Sequence, residues 1–331
     1  MANKEFFGAL TLGPALYPHL RTVLEMNPRF FRYNFAHGLF ETNVKIIQDL
    51  KNKFPDICIY ADLKGLDQRF ELFPEDIEGW HLQTDQQLVI HLDRDFARSK
   101  GGIYLWLPEQ IQLGQKIWCD DAKVEMIIHA FDHQRIVVKI LVGGYLKQHA
   151  AAVIEHFSLS LPPVDSLSLE IIRRLEPLID GILASHIRDS RDMATIQGVF
   201  SKPVIAKIEN KAALEHLEEI ADSAHSILIA RGDLSMAYQP VLLPQLEKNI
   251  CSRLEKFSGD IILATGFWET LTHEKTPHFS DLTDLYYALS LGINGFLLTG
   301  ETAVGDHPDL AFLQLKTNLE AIYSQIKRSN F

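Results

Sequence analysis

"PVIAKIENKAALEHLEEIADSAHSILIARG", residues 203–232, contains two short apolar runs with a stretch of helical period between them. Val204, Ile205, Ala206 and Ile208 read as one buried strand, and "SILIARG" (226–232) opens as another. In "AALEHLEEIAD" (212–222), Leu214, Leu217 and Ile220 recur three residues apart, which places them on one face of a helix. Strand, helix and strand in succession make a βαβ unit, and a series of such units makes a parallel sheet.

The same alternation extends in both directions. Apolar runs occur at "FFGALTL" (6–12), "RFFRYNF" (29–35), "DICIYAD" (56–62), "DGILASH" (180–186), "PVIAKIE" (203–209), "SILIARG" (226–232), "DIILATG" (260–266) and "NGFLLTG" (294–300). "DLAFLQLKTNLEAIYSQI" (309–326) closes the series as an amphipathic helix. Eight strand–helix units predict an α/β chain folded as a (β/α)8 TIM barrel, with an open doubly wound sheet as the competing arrangement. The rhythm fails between the third and fourth runs. There "QQLVIHLD" (86–93), "GQKIWCDDAKVEMIIHAF" (114–131) and "QRIVVKILVGG" (134–144) read as strands joined by hairpin-like breaks. The expectation is a barrel over 1–69 and 158–331 and an inserted all-β domain over 70–157, after strand three.

Composition narrows the function classes. The 331 residues are 47% apolar and 23% charged, ordinary for a soluble globular chain. A net charge of −11 argues against nucleic acid and against an anionic membrane surface as partners. "MANKEFFGALTLG" holds no long apolar segment, no stretch reaches membrane-spanning length, and Cys58, Cys119 and Cys251 form no CxxC pair. Buried, reduced thiols and a cytoplasmic location are expected.

Two charges interrupt the decisive strand. Lys207 and Glu209 are two residues apart, so they share one face of it, and buried charges need partners. Active sites of barrels lie at the C-terminal ends of the strands. Polar residues gather there: Arg32 and Asn34, Asp62 and Lys64, Lys207 and Glu209, Arg231, Gly232 and Asp233, Thr265, then Thr299, Gly300 and Glu301. Glu209 and Asp233 come from adjacent strands and would repel without a cation between them. Mg²⁺ is typically held by one or two carboxylates, with substrate oxygens and water completing the shell. Lys207 could stabilise charge on a reacting oxygen or phosphoryl group, and Gly232 lets backbone N–H groups face an anion. An enolate of a 2-oxo acid fits this set. The competing reading is a structural salt bridge from Lys207 to Glu209 or Asp233.

The strand-end motifs resemble those of the pyruvate kinase family. "TLGPA" (11–15), "RYNFAHG" (32–38), "DLKGLDQR" (62–69), "ASHIR" (184–188), "AKIEN" (206–210), "ARGDL" (230–234), "AT" (264–265) and "TGETAVGDHP" (299–308) follow in the family's order. The resemblance implies a transferase, a kinase acting on phosphoenolpyruvate or pyruvate with Mg²⁺ or Mn²⁺, and it implies that the inserted all-β domain over 70–157 is a lid. It implies Glu209 and Asp233 as metal ligands, and Lys207 facing the transferred phosphoryl group. Thr265 would stand beside the carbon that gains a proton. Ala230, Gly232 and Asp233 would hold the substrate carboxylate. Arg69 would meet the phosphoryl group and Arg32 the nucleotide phosphates, while Asn34 and Asp62 match ligands of a monovalent cation. ADP or ATP is the implied second substrate, and a second copy of the chain is a candidate partner.

Departures from the family pattern cluster on the nucleotide and K⁺ side. Ala36 and Leu63 replace a serine and a threonine that give oxygens to K⁺, which predicts a weakened site, although Asp67 stays acidic. "HAAAVIEH" (149–156) stands where the family has a basic, glycine-rich lid loop. "HFSD" (278–281) replaces T-R-A-E, and Gly266 replaces a glutamine. The chain stops at Phe331, so it resembles a short form lacking the family's C-terminal regulatory domain and its effector site. Three readings stay open: a pyruvate-kinase-like enzyme, a 2-oxo-acid lyase or aldolase on the same metal site, and a non-catalytic scaffold.

Overall fold

The computed structural model describes residues 4–35, 38–63, 68–107, 111–120, 122–155 and 164–329. The chain divides into two compact units. One comprises Met1–Gly65, Pro163–Arg231 and Pro244–Phe331; the other comprises Leu66–Pro162 and Gly232–Leu243.

The first unit is built on eight strands: β1 (Phe7–Thr11), β2 (Phe31–Asn34), β3 (Ile59–Asp62) and, beyond the nine strands of the second unit, β13 (Gly181–Ala184), β14 (Val204–Ile208), β15 (Ser226–Ala230), β16 (Asp260–Ala264) and β17 (Gly295–Leu298). All eight apolar runs are strands. Each pairs in parallel with the next in this order, and β17 closes on β1 with Phe7 opposite Gly295. The sheet is therefore a closed barrel and not an open doubly wound one. Phe7, Ala9, Leu183, Ile205, Leu228 and Leu297 belong to one apolar cluster, against which Tyr60 packs. By the two-residue period of a strand, Ile205 and Lys207 share a face, while Val204, Ala206 and Ile208 face the other way. Gly181 has a packing reason: a Cβ there would lie 2.4 Å from the ring of Tyr60, which stacks on Phe30.

The helix expected over 212–222 is two helices, Lys211–Glu215 and Leu217–Ser223, broken at His216 (φ −102°, ψ 25°). Leu214, Leu217 and Ile220 are nevertheless all buried. The closing helix runs Pro308–Ser329.

The second unit carries β4 (Gln68–Leu72), β5 (Gly79–Leu82), β6 (Gln87–His91), β7 (Ile103–Leu105), β8 (Lys116–Cys119), β9 (Val124–Phe131), β10 (Arg135–Val142), β11 (Gly144–Lys147) and β12 (Ala151–Ile154). Seven of them close a second barrel in the order β10-β6-β7-β4-β12-β8-β9, and β11 pairs with β5. Phe70, Ile90, Ile117, Met126, Val138 and Ile140 fill its core. The all-β composition expected for the insertion is corrected by one helix, Arg94–Lys100. Asp93 caps it, accepting from the Phe96 N–H at 2.8 Å, and Gly101 ends it at φ 62°. Seven residues are too few to show a helical period. "HAAAVIEH" supplies β12, which pairs with β4 and β8; His156 lies outside the described residues.

Candidate active site

The inward-facing row of the first barrel is apolar along most of each strand and turns polar at the C-terminal ends. Thr11, Arg32, Asp62, Ser185 and Lys207 occupy those ends on five adjacent strands, and their contacts run from one to the next. Arg32 Nη1 donates to Thr11 Oγ1 at 3.3 Å, and Arg32 Nε donates to Asp62 Oδ2 at 2.6 Å. Ser185 Oγ donates to Asp62 Oδ1 at 3.0 Å and accepts from Lys207 Nζ at 2.9 Å. Lys207 Nζ also lies 2.9 Å from Glu209 Oε2 and 3.6 Å from Asp62 Oδ1. Glu209 Oε1 accepts from the His186 backbone N–H, with the His186 ring at 3.5 Å. At the opposite end, the Thr11 N–H donates to Thr302 Oγ1 at 3.1 Å, which ties β1 to the turn after β17.

Electrostatics follow from this pairing. Burial alone would raise the carboxyl of Asp62, but the charges of Lys207 and Arg32 outweigh it and hold Asp62 below the usual range. Glu209 is likewise raised by burial and lowered further by Lys207 and His186, so it stays ionised. Two cations and two carboxylates thus neutralise one another where water is largely excluded, the condition under which buried charge is tolerated.

The remaining expected residues occupy defined places. Ala230 is the last residue of β15, and Gly232 and Asp233 lie in the first turn of the helix Arg231–Tyr238. Thr265 follows β16 with φ 67°. Asn34 ends β2. Arg69 lies on β4 in the second unit, where its Nη1 donates to the His149 carbonyl at 2.8 Å. Lys64, Ala36 and Asp67 lie outside the described residues. The structure therefore gathers Arg32, Asp62, Lys207 and Glu209 into one network, in which Lys207 makes a salt bridge to Glu209. Gly232, Asp233 and Arg69 belong to the second unit.

Sequence reasoning assigned no part to Ser185, Thr11 or Thr302. A signal for Ser185 existed: it stands two residues beyond the inward-facing Leu183. Glu301 was noted only as a polar strand end. It is 2% exposed, accepts from the Thr299 N–H at 2.6 Å, and burial pushes its carboxyl up to about 7.

One feature bears on a metal. Glu209 Oε2 is buried and, among the described residues, receives no hydrogen bond of good geometry. The Lys207 ammonium lies 2.9 Å from it as an ion pair. Among the described residues no three His, Cys, Asp or Glu side chains form a metal-binding group.

Residues 9–312 match the family model for the pyruvate kinase barrel domain. The chain is 28% identical over 318 residues to a pyruvate kinase of Chlamydia pneumoniae, covering 90% of this chain and 64% of that one. It is 25% identical over 294 residues to pyruvate kinase 2 of Saccharomyces cerevisiae, covering 84% and 58%. It is 26% identical over 317 residues to a pyruvate kinase of Geobacillus stearothermophilus, covering 90% and 53%. The chain thus spans between about half and two thirds of the length of these relatives. Among the described residues no helix is long and apolar enough to cross a membrane.

Proposed function

The chain belongs to the pyruvate kinase family, and from that premise we propose that it catalyses metal-dependent chemistry on phosphoenolpyruvate or pyruvate, with proton transfer at the enolpyruvate carbon as its better-supported half. The observation that carries this reading is the buried Lys207–Glu209 pair at the mouth of the barrel, with Lys207 also held by Ser185 and near Asp62.

Lys207 is held by Ser185 and Glu209 and kept near Asp62, so its ammonium is preorganised to face negative charge developing on a substrate oxygen. Mg²⁺ or Mn²⁺ on Glu209 and Asp233 would add Lewis-acid stabilisation of that charge. Backbone N–H groups at Gly232 and Asp233, at the start of a helix, suit the substrate carboxylate. Thr265 stands at the end of β16 to pass a proton to the carbon. Arg69 and Arg32 are assigned to the phosphoryl group and the nucleotide phosphates.

Transfer to ADP is the weaker half. It depends almost wholly on positioning and charge stabilisation. The stretch that would carry a basic lid loop is instead strand β12 followed by Glu155, whose carboxylate accepts from the Lys116 backbone N–H at 3.2 Å. Lys147 and Lys123 are the other cations of this unit that could reach the phosphates, and Lys147 is paired with Asp120 at 3.4 Å.

Two assays with Mg²⁺ test the proposal: exchange of pyruvate methyl protons with solvent deuterium, and ATP formation from phosphoenolpyruvate and ADP. Exchange that vanishes in Lys207→Ala, with slow ATP formation by the parent, is expected. Absence of both activities rejects the function, and fast ATP formation rejects its division into a stronger and a weaker half.

A further inference from the structure

Arg231 is the first residue beyond β15, and its side chain is 11% exposed. Its guanidinium has five N–H donors, and the structure gives every one an acceptor. Nε and Nη2 reach the Glu247 carboxylate at 2.5 and 3.1 Å. Nη1 and Nη2 reach the Asp284 carboxylate at 2.5 and 2.7 Å. The remaining Nη1–H donates to the Gly266 carbonyl at 3.2 Å. Glu247 comes from the helix Leu243–Arg253 and Asp284 from the helix Phe279–Ser290, so two carboxylates on two helices fix the plane of the fork. That plane leaves one donor, and it points at the turn after β16.

The turn needs holding. Thr265, Gly266 and Trp268 have φ of 67°, 62° and 65°. Gly266 has nothing within 4 Å of where a Cβ would stand, so its glycine answers the backbone and not a lack of space. Thr265 is β-branched, and such a residue keeps a left-handed backbone only when its surroundings impose it. The far side of the turn is anchored by Trp268, 1% exposed, whose Nε1 donates to the Ala311 carbonyl at 3.3 Å. On the near side Arg231 anchors the turn through its bond to the Gly266 carbonyl. Ion pairing alone would not require it, since a buried cation between two carboxylates is already compensated.

We propose that Arg231 is a positioning residue that sets the backbone, and hence the hydroxyl direction, of Thr265 for proton transfer. This rests on the assignment of Thr265 to the enolpyruvate carbon. One guanidinium then couples the turn after β15, next to the substrate-carboxylate residues, to the turn that delivers the proton. Lysine cannot substitute: it has the charge but neither the fork nor five donors.

The test compares Arg231→Lys with the parent in the pyruvate deuterium-exchange assay and in NMR of threonine-methyl-labelled protein, the Thr265 methyl being identified by its loss in Thr265→Ser. Exchange at saturating pyruvate is expected to fall about 30-fold with KM nearly unchanged, the scale set by sub-ångström misplacement of a reacting group. The Thr265 methyl resonance should move more than those of other threonines. In a Thr265→Ala background, Arg231→Lys should bring almost no further loss. An equal loss in both backgrounds, or an unmoved Thr265 methyl with normal exchange, overturns the proposal. If Arg231→Lys fails to fold, Asp284→Asn loosens one fork while keeping Arg231, and it is read by the same criteria. Should the parent show no exchange, the functional reading fails, and the methyl shift alone decides whether Arg231 positions Thr265.

Discussion

Glu301 and Asp62 are both buried carboxylates, yet they answer pH in opposite senses. Glu301 is raised to about 7 by burial, with its backbone bond to Thr299 and the neighbouring Glu269 secondary to that. Unfolded, it titrates near 4.5. Between those values the folded chain keeps a proton that the unfolded chain has lost, so stability falls as pH rises through that window. Glu301→Gln, which retains an acceptor for the Thr299 N–H, is expected to flatten the slope and to recover up to about 3 kcal/mol at neutral pH. Urea unfolding of parent and variant from pH 5 to 8 measures it; identical slopes would refute it. Asp62 lies below its usual range because Lys207 and Arg32 overcome its burial, so its stabilisation is present at neutral pH and lost in acid.

Two glycines of the barrel turns separate close approach from conformation at the scale of elements. A Cβ on Gly13 would sit 2.4 Å from the carbonyl oxygen of Ala303, backbone that cannot rotate away. Gly266 has open space but φ 62°. Gly13→Ala should therefore destabilise by more than about 2 kcal/mol and Gly266→Ala by only about 1 kcal/mol. Denaturation midpoints of the two variants would sink this if their order were reversed. The eight strands were legible because apolar runs bounded by turns repeat along the chain, and Lys207 with Glu209 was legible from a period of two. The break at His216 and the helix Arg94–Lys100 were not, because both are decided within a few residues. Ser185 escaped for another reason. It stands level with Lys207 only because Ala184 pairs with Ala206, and it reaches Asp62 because Leu183 pairs with that residue. Register between strands is a long-range quantity that local periodicity does not contain. The resemblance implied Asp62 as a cation ligand, whereas the arginine and lysine around it became visible only in the folded chain.

For the whole molecule, that same pairing bears on the ions it needs. Both oxygens of Asp62 are engaged, one by Arg32 and the other by Ser185 with Lys207 nearby, so K⁺ would have to compete with charges the chain already supplies. Leu63 adds no hydroxyl oxygen to replace what is lost. Deuterium exchange into pyruvate is expected to continue unchanged when K⁺ is replaced by tetramethylammonium at equal ionic strength; a collapse would contradict this. The closure of β17 onto β1 reaches further, into how the molecule is made. Phe7 must meet Gly295, so the first strand leaves the ribosome long before its last neighbour is translated. At bacterial and eukaryotic elongation rates of about 5–20 residues per second, the wait is on the order of 15–60 s. Any sheet that formed within that interval would be unclosed, with a bare hydrogen-bonding edge, the form in which strands recruit wrong partners. A barrel without edges in its finished form would carry one if its early strands paired first, and any need for chaperone shelter would then fall on synthesis, before a finished molecule exists.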